Sequence, residues 1–264
     1  MNKKCTVLVM CRNATLNLAY LTGFFLKKYW EDCPYEIVLN TQTQAPDCDL
    51  YDRMIYSDDE MIWGDRLKVA MDNIDTPYTF LLAEDFFLTD TVDNQRFEAA
   101  IEMMEKDKVG ALWMTEAPVF SKSIKNSSEG WRFVPRTSIY RVCLQPILFK
   151  SDYLRRFSGL HFSPWQFERK ASLISSYMDE KIMALDIPIF SCIHAWGHGM
   201  WMGEAIEFMK NEKIDPHYYE NGKIYPKKNV IKDRLAMLII RIAPHLITHI
   251  RIYQSEKNEK KLNF

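Results

Sequence analysis

Glycine is scarce in this sequence, with 9 among 264 residues. Neither G-x-x-x-x-G-K-[ST] nor G-x-G-x-x-G occurs, so the sequence does not support a phosphate site cradled by a glycine-rich loop. There is also no run of 18 apolar residues, and no membrane-spanning helix is therefore predicted. The net charge is −1, from 34 basic and 35 acidic residues, which disfavours a generally basic nucleic-acid binder. No nucleic-acid partner is predicted.

The six cysteines show no C-x-x-C spacing, and no secretory signal follows Met1. A disulfide framework is not expected in a chain of this size and pattern. We therefore expect a cytoplasmic protein whose thiols are reduced and mostly buried as small apolar groups.

Short apolar runs alternate with helically spaced segments through the first half of the chain. Strands are predicted at 6–10, 36–40, 53–56, 78–83 and 109–114, and helices at 14–29, 65–73 and 93–106. Continuous apolar strands that alternate with helices are typical of a mainly parallel sheet covered on both faces. In such α/β sheets the ligand crevice lies beyond the carboxyl ends of the strands.

The second half is less regular. A polar loop is predicted at 121–136, a strand or hairpin at 138–149, a strand at 187–193, and helices at 165–177 and 201–210. Helical patterning from 229 to 253 contains Pro244, which predicts two short helices with a break.

The strongest local feature is the run of residues 81–87 (LLAEDFF), in which a predicted buried strand leads directly into Glu84 and Asp85. Two adjacent carboxylates at the end of a strand can hold a hard divalent cation, which would neutralise a diphosphate. The alternative is that Asp85 only caps a helix or forms a turn.

A second candidate is Glu168, in the run of residues 163–168 (SPWQFE). Proline in a first turn predicts a helix start. A carboxylate near aromatic rings there could have a raised pKa and accept a proton from a hydroxyl. The alternative is an exposed helix acid paired with the neighbouring Arg169 or Lys170.

The chain resembles bacterial glycosyltransferases of the GT-A fold, most closely those of capsule and O-antigen synthesis. The resemblance covers roughly residues 5–205. The stretches that carry it are 63–67 (WGDRL), 74–78 (IDTPY), 81–87, 29–38, 140–145 and 163–168. In this superfamily a D-x-D or E-D type motif meets the nucleotide-sugar diphosphate and its metal. Here that motif is Glu84-Asp85, a departure that leaves metal dependence in question. The literal D-x-D at 47–49 follows the second strand, so it is interpreted as a chance match.

The resemblance implies an α/β, GT-A-like (Rossmann-like) domain at 1–221. It also implies an Mg2+ or Mn2+ cofactor held by Asp85 and His198, with Glu168 as the catalytic base. His194 and His198 lie on either side of Gly197 in a predicted loop. The alternative is that they are ordinary loop histidines, packed or solvated, that bind no ligand. The expected nucleotide-sugar-binding residues are Arg12, Asn13, Asn40, Asp58, Asp65, Arg66, Glu84 and Gln145. Singly, such polar residues are also routine in loops that follow strands.

Residues 222–264 carry ten basic and three acidic residues, a net +7, which leaves −8 on residues 1–221. Apolar and basic residues interleave here with helical spacing, so this segment is predicted to be a basic amphipathic helical extension. Its predicted partner is an anionic membrane surface on the inner face of the cell membrane. Packing onto the acidic body or onto a second subunit remains the alternative.

We therefore expect an inverting glycosyltransferase that moves a sugar from a nucleotide-diphosphate donor to a hydroxyl of a glycan, which we expect to be lipid-linked. Surface polysaccharide synthesis, of capsule or O-antigen type, is its expected role. The alternatives are a non-catalytic GT-A-like scaffold that binds a membrane complex and a sugar nucleotidyltransferase. The latter normally needs a Gly-rich, Lys-containing loop after the first strand, which residues 12–15 (RNAT) do not provide.

Overall fold

A computed structural model describes residues 3–46, 49–115, 124–126, 130–138 and 140–242. The first half alternates strands and helices. Its elements are β1 (Cys5–Met10), α1 (Leu16–Tyr29), β2 (Glu36–Thr41), β3 (Arg53–Tyr56), α2 (Trp63–Asp72), β4 (Tyr78–Ala83), β5 (Phe86–Leu88), α3 (Asn94–Lys106) and β6 (Val109–Trp113). A short 3-10 helix, Asn13–Thr15, precedes α1.

The second half supplies shorter strands and the remaining helices. Its elements are β7 (Ile124–Asn126), β8 (Trp131–Phe133), β9 (Ile147–Lys150), α4 (Ser151–Arg155), α5 (Pro164–Ser176), β10 (Lys181–Leu185), β11 (Cys192–His194), β12 (Trp196–Gly197), β13 (Met200–Trp201), α6 (Gly203–Asn211) and α7 (Lys227–Ile242).

The strands form one nine-stranded sheet in the order β3-β2-β1-β4-β9-β6-β10-β8-β7. β1, β2, β3 and β4 are mutually parallel neighbours, and β6 is parallel to β10. β9 is antiparallel to both β4 and β6, and β8 is antiparallel to both β10 and β7. Seven of these nine strands therefore run in the same direction. This confirms the predicted α/β class with a mainly parallel sheet flanked by helices.

Both faces of the sheet are buried, which explains why its strands are continuous apolar runs. On β1, Val7 and Val9 point into one core and Leu8 into the other. Phe25 of α1 belongs to the first core, and Phe167 of α5 belongs to the second.

The second half differs from its predicted elements. β7 and β8 fall inside the predicted loop 121–136, and β10 was not predicted. The strand expected at 187–193 is confined to Cys192–His194, and the one expected at 138–149 lies at Ile147–Lys150.

The C-terminal extension begins with contacts to the body. The Trp201 amide donates to the Lys223 carbonyl, and the Tyr225 amide donates to the Trp201 carbonyl, both at 2.8 Å. α7 follows, and the expected break at Pro244 lies outside the described residues. The domain boundary between 221 and 222 stays a prediction. Among the residues that the structure describes, none of the helices has both the length and the apolar character needed to cross a bilayer.

Candidate functional site

The acidic pair lies where the central strand β4 ends and turns into β5. β4 is flanked in the sheet by β1 and β9. β5 pairs with β11 in a separate two-stranded sheet, with Phe86 opposite His194. The Ala195 amide also donates to the Asp85 carbonyl at 2.7 Å. The turn that carries the carboxylates is therefore fixed by backbone hydrogen bonds to the segment around residue 194.

Glu84 points into the protein, toward the start of α1. Its Oε1 accepts a hydrogen bond from Thr15 Oγ1 at 2.6 Å, and its backbone carbonyl accepts one from Thr22 Oγ1 at 2.5 Å. Burial, and then the charge of Asp85, raise the pKa of Glu84, while Thr15 and the nearby guanidinium of Arg66 oppose the rise. Arg66 is itself buried and donates to the carbonyl of Cys11. Glu84 is thus held as a buried acid behind the turn.

Asp85 faces a histidine and keeps one oxygen without a partner. Its Oδ2 lies 3.0 Å from Nε2 of His194, whose ring stacks on Phe86 with centroids 5.1 Å apart. Its Oδ1 is buried and has no hydrogen-bond partner in the structure. Burial lowers the pKa of His194, but the hydrogen bond and the charge of Asp85 outweigh it, and the net shift is upward. Asp85 and His194 therefore form a hydrogen-bonded pair, which becomes an ion pair when the imidazole is protonated.

Glu168 reaches the same place from α5. Its Oε1 accepts a hydrogen bond from the Leu144 amide at 3.0 Å. Burial, followed by the charge of Asp85, raises the pKa of Glu168, while the Leu144 hydrogen bond and the charge of His194 lower it. Because Asp85 and His194 both act electrostatically on Glu168, the three groups share one site. A partly buried carboxyl group with a raised pKa is a stronger base than an ordinary carboxylate and is suited to accepting a proton.

The start of α5 is held in place at this site. Ser163 Oγ accepts from the Gln166 amide at 3.3 Å, and Gln166 Oε1 accepts from the Ser163 amide at 2.9 Å, which together form a capping box. Phe167 packs on Trp63 at the start of α2, with ring centroids 4.6 Å apart. The helix that carries Glu168 therefore begins at a fixed position beside α2.

The loops that follow β1, β2 and β3 form a hydrogen-bonded network. Asn13 Nδ2 donates to Thr43 Oγ1 and to Asp59 Oδ1, each at 2.9 Å. Asn40 is fully buried, and its Nδ2 donates to Ser57 Oγ at 2.9 Å. Asp58 Oδ1 accepts from the Glu60 amide at 3.0 Å. These loops are therefore connected to one another through side chains.

The other residues predicted to bind the nucleotide-sugar donor lie at several different places in the structure. Arg12 is exposed and precedes the 3-10 helix. Asp65 Oδ2 lies 2.7 Å from Nδ1 of His161, and the His161 side chain is largely exposed. Gln145 Oε1 accepts from Thr115 Oγ1 at 3.5 Å. The donor-binding roles of this set stay predictions.

The histidine at Asp85 is His194, whereas the sequence analysis assigned a metal ligand at His198. His198 lies in the turn between β12 and β13 with φ 55°, and its ring stacks on Tyr225 with centroids 5.4 Å apart. The pairing of β5 with β11, which places His194 beside Asp85, joins segments about a hundred residues apart, so spacing within the sequence could not reveal it. The role of His198 stays a prediction.

Asp85 offers one free oxygen to a divalent cation. Within the described residues no group of three or more His, Cys, Asp or Glu could hold a metal ion. Mg2+ is commonly bound by one or two carboxylates together with substrate phosphates and water, so a closed protein cage is not required. The unpartnered Oδ1 of Asp85 fits that mode of binding. Of the other D-x-D stretch, residues 47 and 48 lie outside the described residues.

Comparisons with known proteins give fold-level likeness only. No family model matches the chain, and no curated protein matches it. Among solved structures it is similar to S. aureus TarS 1-349, at 13% identity and TM-score 0.49 over 71% of this chain and 59% of that one. TarS 1-349 in complex with UDP-GlcNAc matches at 12% identity and TM-score 0.46, over 79% of this chain and 65% of that one. The mannosyltransferase PcManGT from Pyrobaculum calidifontis, in complex with GDP-Man and Mn2+, matches at 14% identity and TM-score 0.49 over 74% and 58%. The matched part thus spans less than two thirds of each solved chain.

Proposed function

We propose that this chain is a nucleotide-sugar-dependent glycosyltransferase that inverts the anomeric configuration. One observation carries the proposal. Asp85, two residues after β4 ends, lies close enough to Glu168 on α5 for its charge to raise the pKa of Glu168, and both side chains lie at the carboxyl edge of the central strands. That edge is where open α/β sheets bind their ligands. One carboxylate is free to take part in diphosphate binding, and the other is buried with a raised pKa, as a base needs.

Asp85 is assigned to the diphosphate end of the donor. Its Oδ2 is occupied by His194, which leaves Oδ1 to contribute to the binding of Mg2+ or Mn2+. When bound, such a cation neutralises the negative charge of the diphosphate leaving group. His194 orients the Asp85 carboxylate and brings positive charge to the site, because the net shift in its pKa is upward.

Glu168 is assigned to the acceptor hydroxyl. The Leu144 amide holds its Oε1, which leaves Oε2 to accept the proton. As the hydroxyl oxygen forms its bond to the anomeric carbon, the bond from that carbon to the diphosphate oxygen breaks on the opposite face. The proton passes to Glu168, and the nucleoside diphosphate departs with the bonding electrons. A single displacement of this kind inverts the anomeric centre.

Binding of a nucleotide sugar is the direct test. We expect one member of a panel of nucleotide sugars, presented with Mn2+, to raise the melting temperature, because a ligand bound only to the native state stabilises it. The same compound should then release its nucleoside diphosphate when a suitable acceptor is supplied. A chain that binds no nucleotide sugar, or that binds one without transfer or hydrolysis, would contradict the enzyme and favour a scaffold.

The pH dependence of transfer should respond to His194. Glu168 acts as a base only when ionised, so activity rises with pH through its pKa, which is raised above the ordinary value. His194 lowers that pKa by its charge. We therefore expect His194→Gln to move the acidic limb of the kcat profile to higher pH. His217→Gln, which removes an exposed histidine away from this site, should leave the limb in place.

The acceptor is proposed to be lipid-linked and to serve surface polysaccharide synthesis, with α7 at an anionic membrane. Ile231 and Leu235 lie one helical turn apart and are 60% and 55% exposed. Lys227, Lys228 and Lys232 are exposed beside them. Apolar side chains flanked by lysines suit the surface of an anionic bilayer, which attracts each basic residue by about 1 kcal/mol.

Vesicle binding tests this assignment. The full chain should sediment with phosphatidylglycerol vesicles but not with phosphatidylcholine vesicles, and added salt should weaken the binding. Ile231→Asp combined with Leu235→Asp should abolish it, whereas Leu173→Asp on α5 should not. A membrane role would be refuted if the protein bound neither type of vesicle, or if it dimerised through α7 instead.

A further inference from the structure

The start of α5 presents a large aromatic side chain to solvent. Trp165 is 70% exposed, whereas the other six tryptophans are at least partly buried by the body: Trp30, Trp63, Trp113, Trp131, Trp196 and Trp201. An indole ring carries a wide apolar surface, and leaving it in water forgoes the stabilisation that burial would bring. The exposed ring of Trp165 leaves an aromatic face free to stack on a ligand.

Trp165 lies next to Glu168 along α5. Three residues of helix rise about 4.5 Å and bring both side chains to adjoining faces of the same turn. The Ser163–Gln166 capping box and the packing of Phe167 on Trp63 fix this turn. Glu168 points inward to the Leu144 amide, while Trp165 remains outside. The exposed ring therefore stands one turn from the buried carboxyl group.

A polar pair lies on the segment that leads into this helix. His161 Nδ1 and Asp65 Oδ2 are 2.7 Å apart, and the His161 side chain is largely exposed. The segment is attached to α2 by two backbone hydrogen bonds of 2.9 Å, from the Gly64 amide to the Phe162 carbonyl and from the Gly159 amide to the Gly64 carbonyl. His161 thus stands four residues before Trp165, on a segment whose backbone is held to α2.

We propose that Trp165 and the His161–Asp65 pair form the subsite for the acceptor sugar. A pyranose has an apolar face of C–H groups that stacks on an aromatic ring and an equator of hydroxyls that need donors and acceptors, and a rim with one aromatic residue and two polar groups matches both. The inference rests on the proposed function, since the hydroxyl to be activated must lie at Glu168 while its ring extends outward. Trp165 would position the acceptor and take no part in proton transfer.

Glycan binding by the full chain tests the inference without requiring turnover. Wild type, Trp165→Ala and Tyr177→Ala would be applied to an array of immobilised mono- to trisaccharides in the presence of UDP or GDP. Tyr177 is the matched control, since it ends the same helix and is 83% exposed. We expect Trp165→Ala to weaken binding of the retained glycans about tenfold, which corresponds to about 1.4 kcal/mol, because the substitution removes the ring on which the sugar stacks. Trp165→Phe should restore part of the loss, and Tyr177→Ala should bind as wild type does.

Transfer assays separate this inference from the proposed function. If the enzyme turns over, Trp165→Ala should raise the acceptor KM and leave the donor KM unchanged. The proposed acceptor subsite alone would be overturned by either of two results. One is an acceptor KM that is unchanged in Trp165→Ala, and the other is an array on which the wild-type protein retains no glycan. Glycan binding that depends on Trp165 without any transfer would instead overturn the proposed function.

Discussion

Replacement of Glu168 by glutamine should lower kcat for sugar transfer by about 10²- to 10⁴-fold, the range that a positioned general base contributes. Glutamine keeps the oxygen that accepts from the Leu144 amide at 3.0 Å, so the local fold should survive. What the substitution removes is the carboxylate that takes the proton. Donor affinity, measured by titration of the nucleotide sugar, should be unchanged because Glu168 is assigned to the acceptor hydroxyl.

Glu207→Gln is a suitable control, since Glu207 is an exposed acid on α6. It should transfer sugar at the wild-type rate. Thermal unfolding of both variants would separate a catalytic loss from a folding loss. Full turnover by Glu168→Gln would remove Glu168 from the mechanism, and a loss of donor binding would move it to a different role.

Asp85→Asn should weaken Mn2+-dependent donor binding by about 10²-fold, comparable with the loss of one preorganised electrostatic group. The amide cannot supply the negative charge that the buried Oδ1 offers to a cation. The readout is the Mn2+ concentration at which a nucleotide sugar raises the melting temperature. A second readout follows from the pKa of Glu168, which Asp85 raises. Any residual activity should have its acidic limb shifted to lower pH, opposite to the shift expected for His194→Gln.

Asp179→Asn is the control for that substitution, because Asp179 is exposed and lies before β10, at the amino end of the strand. Its Mn2+ response should match that of wild type. If Asp85→Asn also bound donor as wild type does, the diphosphate would have to be placed elsewhere. An acidic limb that stayed in place would show that Asp85 does not act on Glu168.

The first half of the fold was predictable because each strand is a continuous apolar run. Arg53–Tyr56 and Tyr78–Ala83 match their predicted bounds. β10, with the sequence KIMAL, was not predicted because only one of its residues is β-branched, and its neighbours β6 and β8 define it as a strand. The segments that form β7 and β8 were predicted to be a polar loop. Each strand has only three residues, which is too short to show an alternating apolar pattern in the sequence.

In the candidate site, too, only the residues marked by a local sequence pattern could be predicted. Asp85 and Glu168 could be singled out because each follows a local signal, a strand end and a proline-led helix start. The meeting of Asp85 with His194 depends on long-range pairing of β5 with β11, which no local pattern encodes. Burial of Asn40 likewise depends on its place on β2, which lies between β1 and β3, where its amide donates to Ser57.

The position of β9 also constrains the order in which the chain can assemble during synthesis. β9 is the strand between β4 and β6, yet it follows both along the chain. A nascent polypeptide that has not yet released residue 150 from the ribosome therefore holds the group β3-β2-β1-β4 with an open edge at β4, and it holds β6 without either of its neighbours in the sheet. Such edges are prone to pair with other chains. We expect truncated products that end before β9 to aggregate, and a longer product that includes it to be the first fragment able to close the centre of the sheet.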